Sequence, residues 1–145
     1  MAGSKCEFCS ITSGDAEAAI VFQNADVTAF MDRRPFNPGH ILVIPNSHEP
    51  DFEELNSEVF GRLMLVVQEL SRVVKQVYSP KKVGLAVAGF DVPHAHVHII
   101  PLHDYHDLTS KRLLEGTLEA ATREDLGANA RKIRDALRAQ GSGAV

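Results

Sequence analysis

The chain has 145 residues, 44% of them hydrophobic and 23% charged, with a formal net charge of -4. That length fits one domain, residues 1–145, with room for a core, and the composition is that of a soluble globular protein. The acidic balance argues against a general nucleic-acid surface, no apolar run approaches the ~20 residues of a membrane span, and Met1 to Lys5 lead into Cys6 with no apolar signal core, so a cytoplasmic location is expected.

Residues 6–14 read as a short turn or helix ending at Gly14, with Phe8 and Ile11 on one face. The same stretch carries Cys6 and Cys9, spaced C-x-x-C. That spacing suggests a metal half-site, then a redox pair, then two unconnected thiols. Metal is preferred because a thioredoxin-like pair should follow a strand, and this one begins the chain. Two cysteines supply only two ligands, so zinc needs two more donors from elsewhere. Residues 19–23 and 27–32 read as strands joined by the turn signal Asn24-Ala25-Asp26. A Pro- and Gly-punctuated loop, 33–39, leads to a third strand at 40–45, apolar almost throughout and so central and buried on both faces. After a turn at 46–50, residues 52–78 read as one long helix. Leu55, Val59, Leu63, Val66, Leu70, Val73 and Val77 form its core-facing stripe. Ser79-Pro80 stops it, and residues 83–89 form a glycine-containing strand.

The sequence His94-Ala95-His96-Val97-His98-Ile99-Ile100-Pro101 follows. In a strand, alternate side chains share a face, so three imidazoles would line one side while Ala95, Val97 and Ile99 enter a core. Such a row is costly as pure structure, because each ring has two polar nitrogens to satisfy. Its proton, metal and nucleophilic chemistry all operate near neutral pH. A polar loop at 102–107 is expected next, with His103 and His106 as exposed loop residues. A last helix starts near Leu118 or Thr122 and runs to about Ala139 on a stripe of Leu126, Ala130, Ile133 and Leu137. Gly141-Ser142-Gly143 then releases a tail.

The residues 94–100 match the signature His-φ-His-φ-His-φ-φ, and the chain resembles the histidine-triad (HIT) family, in its bacterial-type Hint-like branch. The resemblance covers residues 6 to about 101. It includes Cys6-Glu7-Phe8-Cys9-Ser10-Ile11, Ala29-Phe30-Met31-Asp32 and Pro38-Gly39-His40 through Ser47-His48. It implies an α+β fold: an antiparallel sheet of about five strands, one long helix packed on it, a C-terminal helical extension at about 118–140, and a homodimer. It also implies chemistry at a nucleotide α-phosphate. His96 would be the nucleophile that forms a nucleotidyl-histidine, His98 would hold phosphate oxygen or the bridging atom, and His94 would orient His96 through its carbonyl. Asp32 would bind ribose hydroxyls of a purine nucleotide. Phe8, Ile11 and Phe30 would wall the base cleft, and His40 would stand near the phosphate side. Relatives with the N-terminal Cys pair bind zinc, which here implicates Cys6, Cys9, His48 and His94 as a closed structural site, one per chain.

The chain also departs from the pattern. A Gln common after the glycine-rich strand is replaced within Phe90-Asp91, an Asn before it is missing from Gly84-Leu85-Ala86-Val87, Leu102 stands where Arg is common, and there is no Trp. Phosphoramidate or adenylate substrates are expected first, with dinucleoside polyphosphates as the alternative. Two other classes remain open: a nucleotide-binding regulatory protein with little catalysis, and a metallohydrolase whose histidines hold a catalytic ion. The last is awkward, since alternate residues of a flat strand lie ~7 Å apart at Cα.

Overall fold

The structure, a computed structural model, describes residues 6–109 and 111–141; Ser142 and Gly143 of the expected tail lie outside them. Its centre is a five-stranded antiparallel sheet in the order β1-β2-β3-β5-β4, with β1 Ile20–Gln23, β2 Val27–Met31, β3 Ile41–Pro45, β4 Lys82–Ala86 and β5 Val97–Leu102. The β1–β2 turn closes because Asn24 Oδ1 accepts the N–H groups of Asp26 and Val27 at 2.9 and 2.8 Å. β3 is central and wholly buried, as its unbroken apolar run requires.

Strand alternation divides the core between the two faces of the sheet. Val27, Ala29, Met31, Ile41, Val43, Val97 and Ile99 face α2 (Ser57–Tyr78) and the last helix. Phe30, Leu42 and Ile44 face the other way and pack with Phe8 and Ile11 of α1 (Glu7–Ser13). The short helices α3 (Tyr105–Thr109) and α4 (Lys111–Leu114) follow β5, and α5 (Arg123–Ala139) closes the chain. Thr122 caps α5 by accepting the Asp125 N–H at 3.1 Å, and Ala130, Ile133 and Leu137 are buried beneath it.

Four expectations shift. The long helix starts at Ser57 after a 3₁₀ turn, because Asn56 Oδ1 accepts the N–H groups of Glu58 and Val59 and fixes the N-terminus there. Leu55 and Val59 are therefore only half-buried, outside the core. β4 ends at Ala86 rather than 89, and of the loop expected at 102–107, Leu102 ends β5 and Tyr105 to Asp107 open α3. The main correction concerns the histidines. Only His98 lies in β5, while His94 sits at a bend and His96 in an irregular lead-in with no ladder partner on β3 or β4. Pro93 has no N–H to offer. The lead-in is held elsewhere: His94 N–H donates to Val92 O at 2.8 Å and Ala95 N–H to Glu49 O at 2.7 Å.

Candidate functional site

The side of the sheet away from the long helix carries every chemically distinctive residue. α1 brings Cys6 and Cys9, the end of β3 leads to His48, and the lead-in brings His94; their donor atoms all lie within 4.8 Å of one another. His94 Nδ1 is 3.4 Å from Cys6 Sγ and 3.5 Å from Cys9 Sγ, and His48 Nδ1 is 3.3 Å from Cys9 Sγ. A tetrahedral ion with bonds of ~2.3 Å to sulfur and ~2.05 Å to nitrogen would hold S and N about 3.6 Å apart. The set therefore fits zinc in size and donor type. The hydrogen bonding agrees. His94 Nε2–H donates to Pro45 O at 2.8 Å, which leaves Nδ1 as a lone pair facing two sulfurs. His94 Nδ1 can accept the Cys6 thiol proton and His48 Nδ1 that of Cys9, whereas a cation shared by two thiolates and both rings would join all four donors at one centre.

His96 comes next. Its Nδ1–H donates to the His94 carbonyl at 2.7 Å, so Nε2 carries the lone pair. The residue is 6% exposed, and Phe8 packs edge-on against its ring at 5.2 Å between centroids and against His94 at 5.9 Å.

His40, His98 and Asp32 form the third group. The Phe36 N–H donates to His40 Nδ1 at 3.0 Å, so the His40 proton resides on Nε2, which donates to His98 Nδ1 at 2.9 Å. His98 must then carry its own proton on Nε2. Two tautomers are fixed in series by one backbone amide. Burial, then the neighbouring His98, pushes His40 down to about 3; burial, then His96, pushes His98 down to about 4. Both rings are neutral near pH 7, so the 3.4 Å approach of His40 Nε2 to Asp32 Oδ2 is not an ion pair. Asp32 Oδ1 accepts the Arg34 N–H at 2.8 Å, and burial raises its carboxyl above the usual range, against that bond and the Arg33 charge. The donor atoms of this group also lie within 4.8 Å of one another. A metal on His40 Nε2 would need that nitrogen's proton removed while Nδ1 still accepts from Phe36, so the arrangement is a hydrogen-bonded chain and not an ion site.

The three triad rings do not share one centre. His94 turns to the sulfurs, His96 to the His94 carbonyl and His98 to His40. Phe8, Ile11 and Phe30 stand together in the apolar cluster beside them, with Phe8 and Phe30 edge-to-face at 5.4 Å. Arg33 pairs with Glu7 and so joins α1 to the loop after Asp32. His103 and His106 are exposed, as expected. Sequence reasoning missed Phe36, whose amide sets the His40 tautomer and whose ring stacks near His98 at 6.4 Å, and it missed the Pro45 carbonyl. Backbone donors and acceptors have no sequence signature; Phe36 had only its place in the Pro-Phe-Asn-Pro-Gly loop.

Comparison with known proteins shows the same family and fold in several relatives. The family model described as HIT domain matches residues 13–105. A HIT-like protein of Saccharolobus solfataricus is 36% identical over 101 residues, 66% of this chain and 73% of that one. A zinc-bound histidine triad family protein from Mycobacterium smegmatis superposes with a TM-score of 0.76 at 26% identity, covering 94% of this chain and 96% of that one. A hypothetical histidine triad nucleotide-binding protein from Sulfolobus tokodaii gives 0.74 at 25% identity, covering 92% and 93%.

Proposed function

The chain belongs to the HIT domain family, and from that premise we propose that it is a nucleotide hydrolase or transferase working at an α-phosphate through a covalent intermediate on His96. The observation that carries the reading is the 2.7 Å bond from His96 Nδ1–H to the His94 carbonyl, which leaves Nε2 as the ring nitrogen available for attack. Nε2 attacks phosphorus, a P–Nε2 bond forms and the bond to the leaving group breaks. With a phosphoramidate, the departing nitrogen takes a proton from solvent. Water then attacks, the P–Nε2 bond breaks, the nucleoside monophosphate leaves and water's proton returns to solvent. His98, neutral and protonated on Nε2, donates a hydrogen bond to phosphate oxygen or the bridging atom, where negative charge grows. His40 keeps that donor in place.

Asp32 Oδ2 accepts from ribose hydroxyls, and Phe8, Ile11 and Phe30 flank a purine. The nucleotide-binding name of the Sulfolobus tokodaii neighbour supports a nucleotide partner. Phosphoramidate or adenylate-type substrates come first in this reading, ahead of dinucleoside polyphosphates. Cys6, Cys9, His48 and His94 would hold one structural zinc per chain, in line with the zinc-bound Mycobacterium smegmatis neighbour. With four protein donors it would lend fold stability and no bound water. The protein is read as a homodimer joined through the β4 edge and α2, where Leu85 and Leu65 are 47% and 66% exposed; light scattering at a monomer mass would refute that.

A second reading, nucleotide binding with little catalysis, draws on Phe90, which is 95% exposed where a phosphate-contacting Gln is common. One experiment separates the two. Quenched reactions with an adenosine phosphoramidate should show, by intact mass, one nucleotidyl group on wild-type protein and none on His96→Asn. Turnover that persists in His96→Asn would refute the catalytic assignment.

A further inference from the structure

The nucleophile lies outside the sheet ladder. Pairing with β3 begins at Val97 and pairing with β4 at His98, so no strand neighbour fixes the backbone at His94–His96. The segment is buried, and its contacts come from outside the sheet ladder. Ala95 N–H reaches Glu49 O, next to His48. His94 Nε2–H reaches Pro45 O, and His94 Nδ1 faces Cys6 and Cys9. Phe8, between the two cysteines in sequence, bears on both His94 and His96. The lead-in is therefore gripped between α1 and the 45–49 segment, and three of the four Cys/His donors belong to those two grips. The fourth donor, His94, is the residue whose carbonyl aims His96.

We propose that Cys6, Cys9 and His48 are positioning residues for the reaction: drawn together on His94, they set the backbone that aims the reactive nitrogen of His96. This rests on the nucleophile and zinc readings above and adds that filling the site governs the chemical step and not only the fold. Without an ion, only weak thiol hydrogen bonds, Cys6 to His94 Nδ1 and Cys9 to His48 Nδ1, draw the four donors together, and no single centre ties α1 and His48 to His94. α1 then remains joined to the sheet by Phe8 and Ile11 packing and by the Glu7–Arg33 pair. The nucleotide cleft survives, because Asp32 and Phe30 belong to or adjoin β2, while the lead-in loosens. The effect should fall on kcat and leave nucleotide binding largely intact.

The test compares zinc-loaded wild type with Cys9→Ala, which removes a donor, and Cys9→His, which restores one. Four quantities are read: bound zinc, Kd for adenosine monophosphate, kcat on a phosphoramidate, and the ¹⁵N shifts of the His96 ring. In Cys9→Ala, zinc is lost, kcat falls about 10- to 100-fold, Kd changes little, and the His96 ring loses its single fixed tautomer. Cys9→His restores zinc, kcat and the tautomer. An unchanged kcat in zinc-free Cys9→Ala overturns the proposal. So does a parallel loss of kcat and nucleotide affinity with the tautomer intact, which would mark a purely structural site. Wild-type protein that binds no zinc refutes the zinc reading, and failure to trap an adduct on His96 refutes the nucleophile reading, either of which removes the proposal's premise; full activity of zinc-free wild type, with the adduct still trapped, overturns the proposal alone.

Discussion

Replacement of His40 by amides of two lengths tests the tautomer chain directly. An Asn amide reaches about as far as Nδ1 of the ring, and a Gln amide about as far as Nε2. His40→Asn can still accept the Phe36 N–H, replacing the 3.0 Å bond, but cannot reach His98. His40→Gln can still donate to His98 Nδ1, replacing the 2.9 Å bond, but leaves the Phe36 N–H unpaired. An unsatisfied buried amide costs about 1–3 kcal/mol. With 145 residues at about 2 cal/mol/K each, the unfolding entropy is ~0.3 kcal/mol/K, so 2 kcal/mol lowers Tm by about 7 °C. Gln should therefore unfold several degrees early and keep most of its kcat. Asn frees His98 to place its proton on either nitrogen and loses the fixed donor, an effect of about 10- to 100-fold on kcat. His40→Phe should show both losses. The assays are differential scanning calorimetry and steady-state kinetics on one phosphoramidate. Equal kcat in Asn and Gln variants, or Gln as impaired as Phe, would refute the series Phe36–His40–His98.

Acid should destabilise the protein before most carboxylates titrate. His40 and His98 lie near 3 and 4 in the fold against 6.5 ordinarily, so between pH 6.5 and about 4 the unfolded chain binds protons that the folded chain refuses. Stability is full above pH 6.5 and declines below it, by up to ~1.4 kcal/mol per pH unit for each ring. The raised Asp32 works in the opposite sense just above its usual 3.8. A urea midpoint that rises from pH 7 to pH 5 would contradict this. Gly39→Ala should be destabilising by more than ~1 kcal/mol, because φ is +98° there and a Cβ would come within 2.6 Å of the Tyr78 ring; an unchanged Tm would count against it. Zinc at a thousandfold over its Kd should stabilise by about 4 kcal/mol, on the order of 13 °C. Exhaustive chelation should remove that increment, and Cys6→Ser should show no such response to chelator.

Much of this molecule is legible along the chain. The apolar run at 41–45 identifies the central strand because only a strand covered on both faces can bury every residue. The three- and four-residue spacing in α2 and α5 identifies their buried stripes, and the cap at Thr122 is local chemistry. The alternation of His94, His96 and His98 marks the segment proposed to react, and C-x-x-C marks half of the proposed metal site. Other features depend on partners that only folding brings together. Cys6 meets His94 across 88 residues and His40 meets His98 across 58, and no spacing rule reaches so far. The start of β5 at Val97 depends on where β3 and β4 offer partners, so a pattern that reads as one strand divides into a ladder and an irregular, buried lead-in. The three rings have the same chemistry in the sequence. The Pro45 carbonyl, the His94 carbonyl and the Phe36 amide, by way of His40, decide which nitrogen of each ring carries its proton. A tautomer is set by the groups around a ring, and those groups come from distant backbone that the tertiary structure alone assembles.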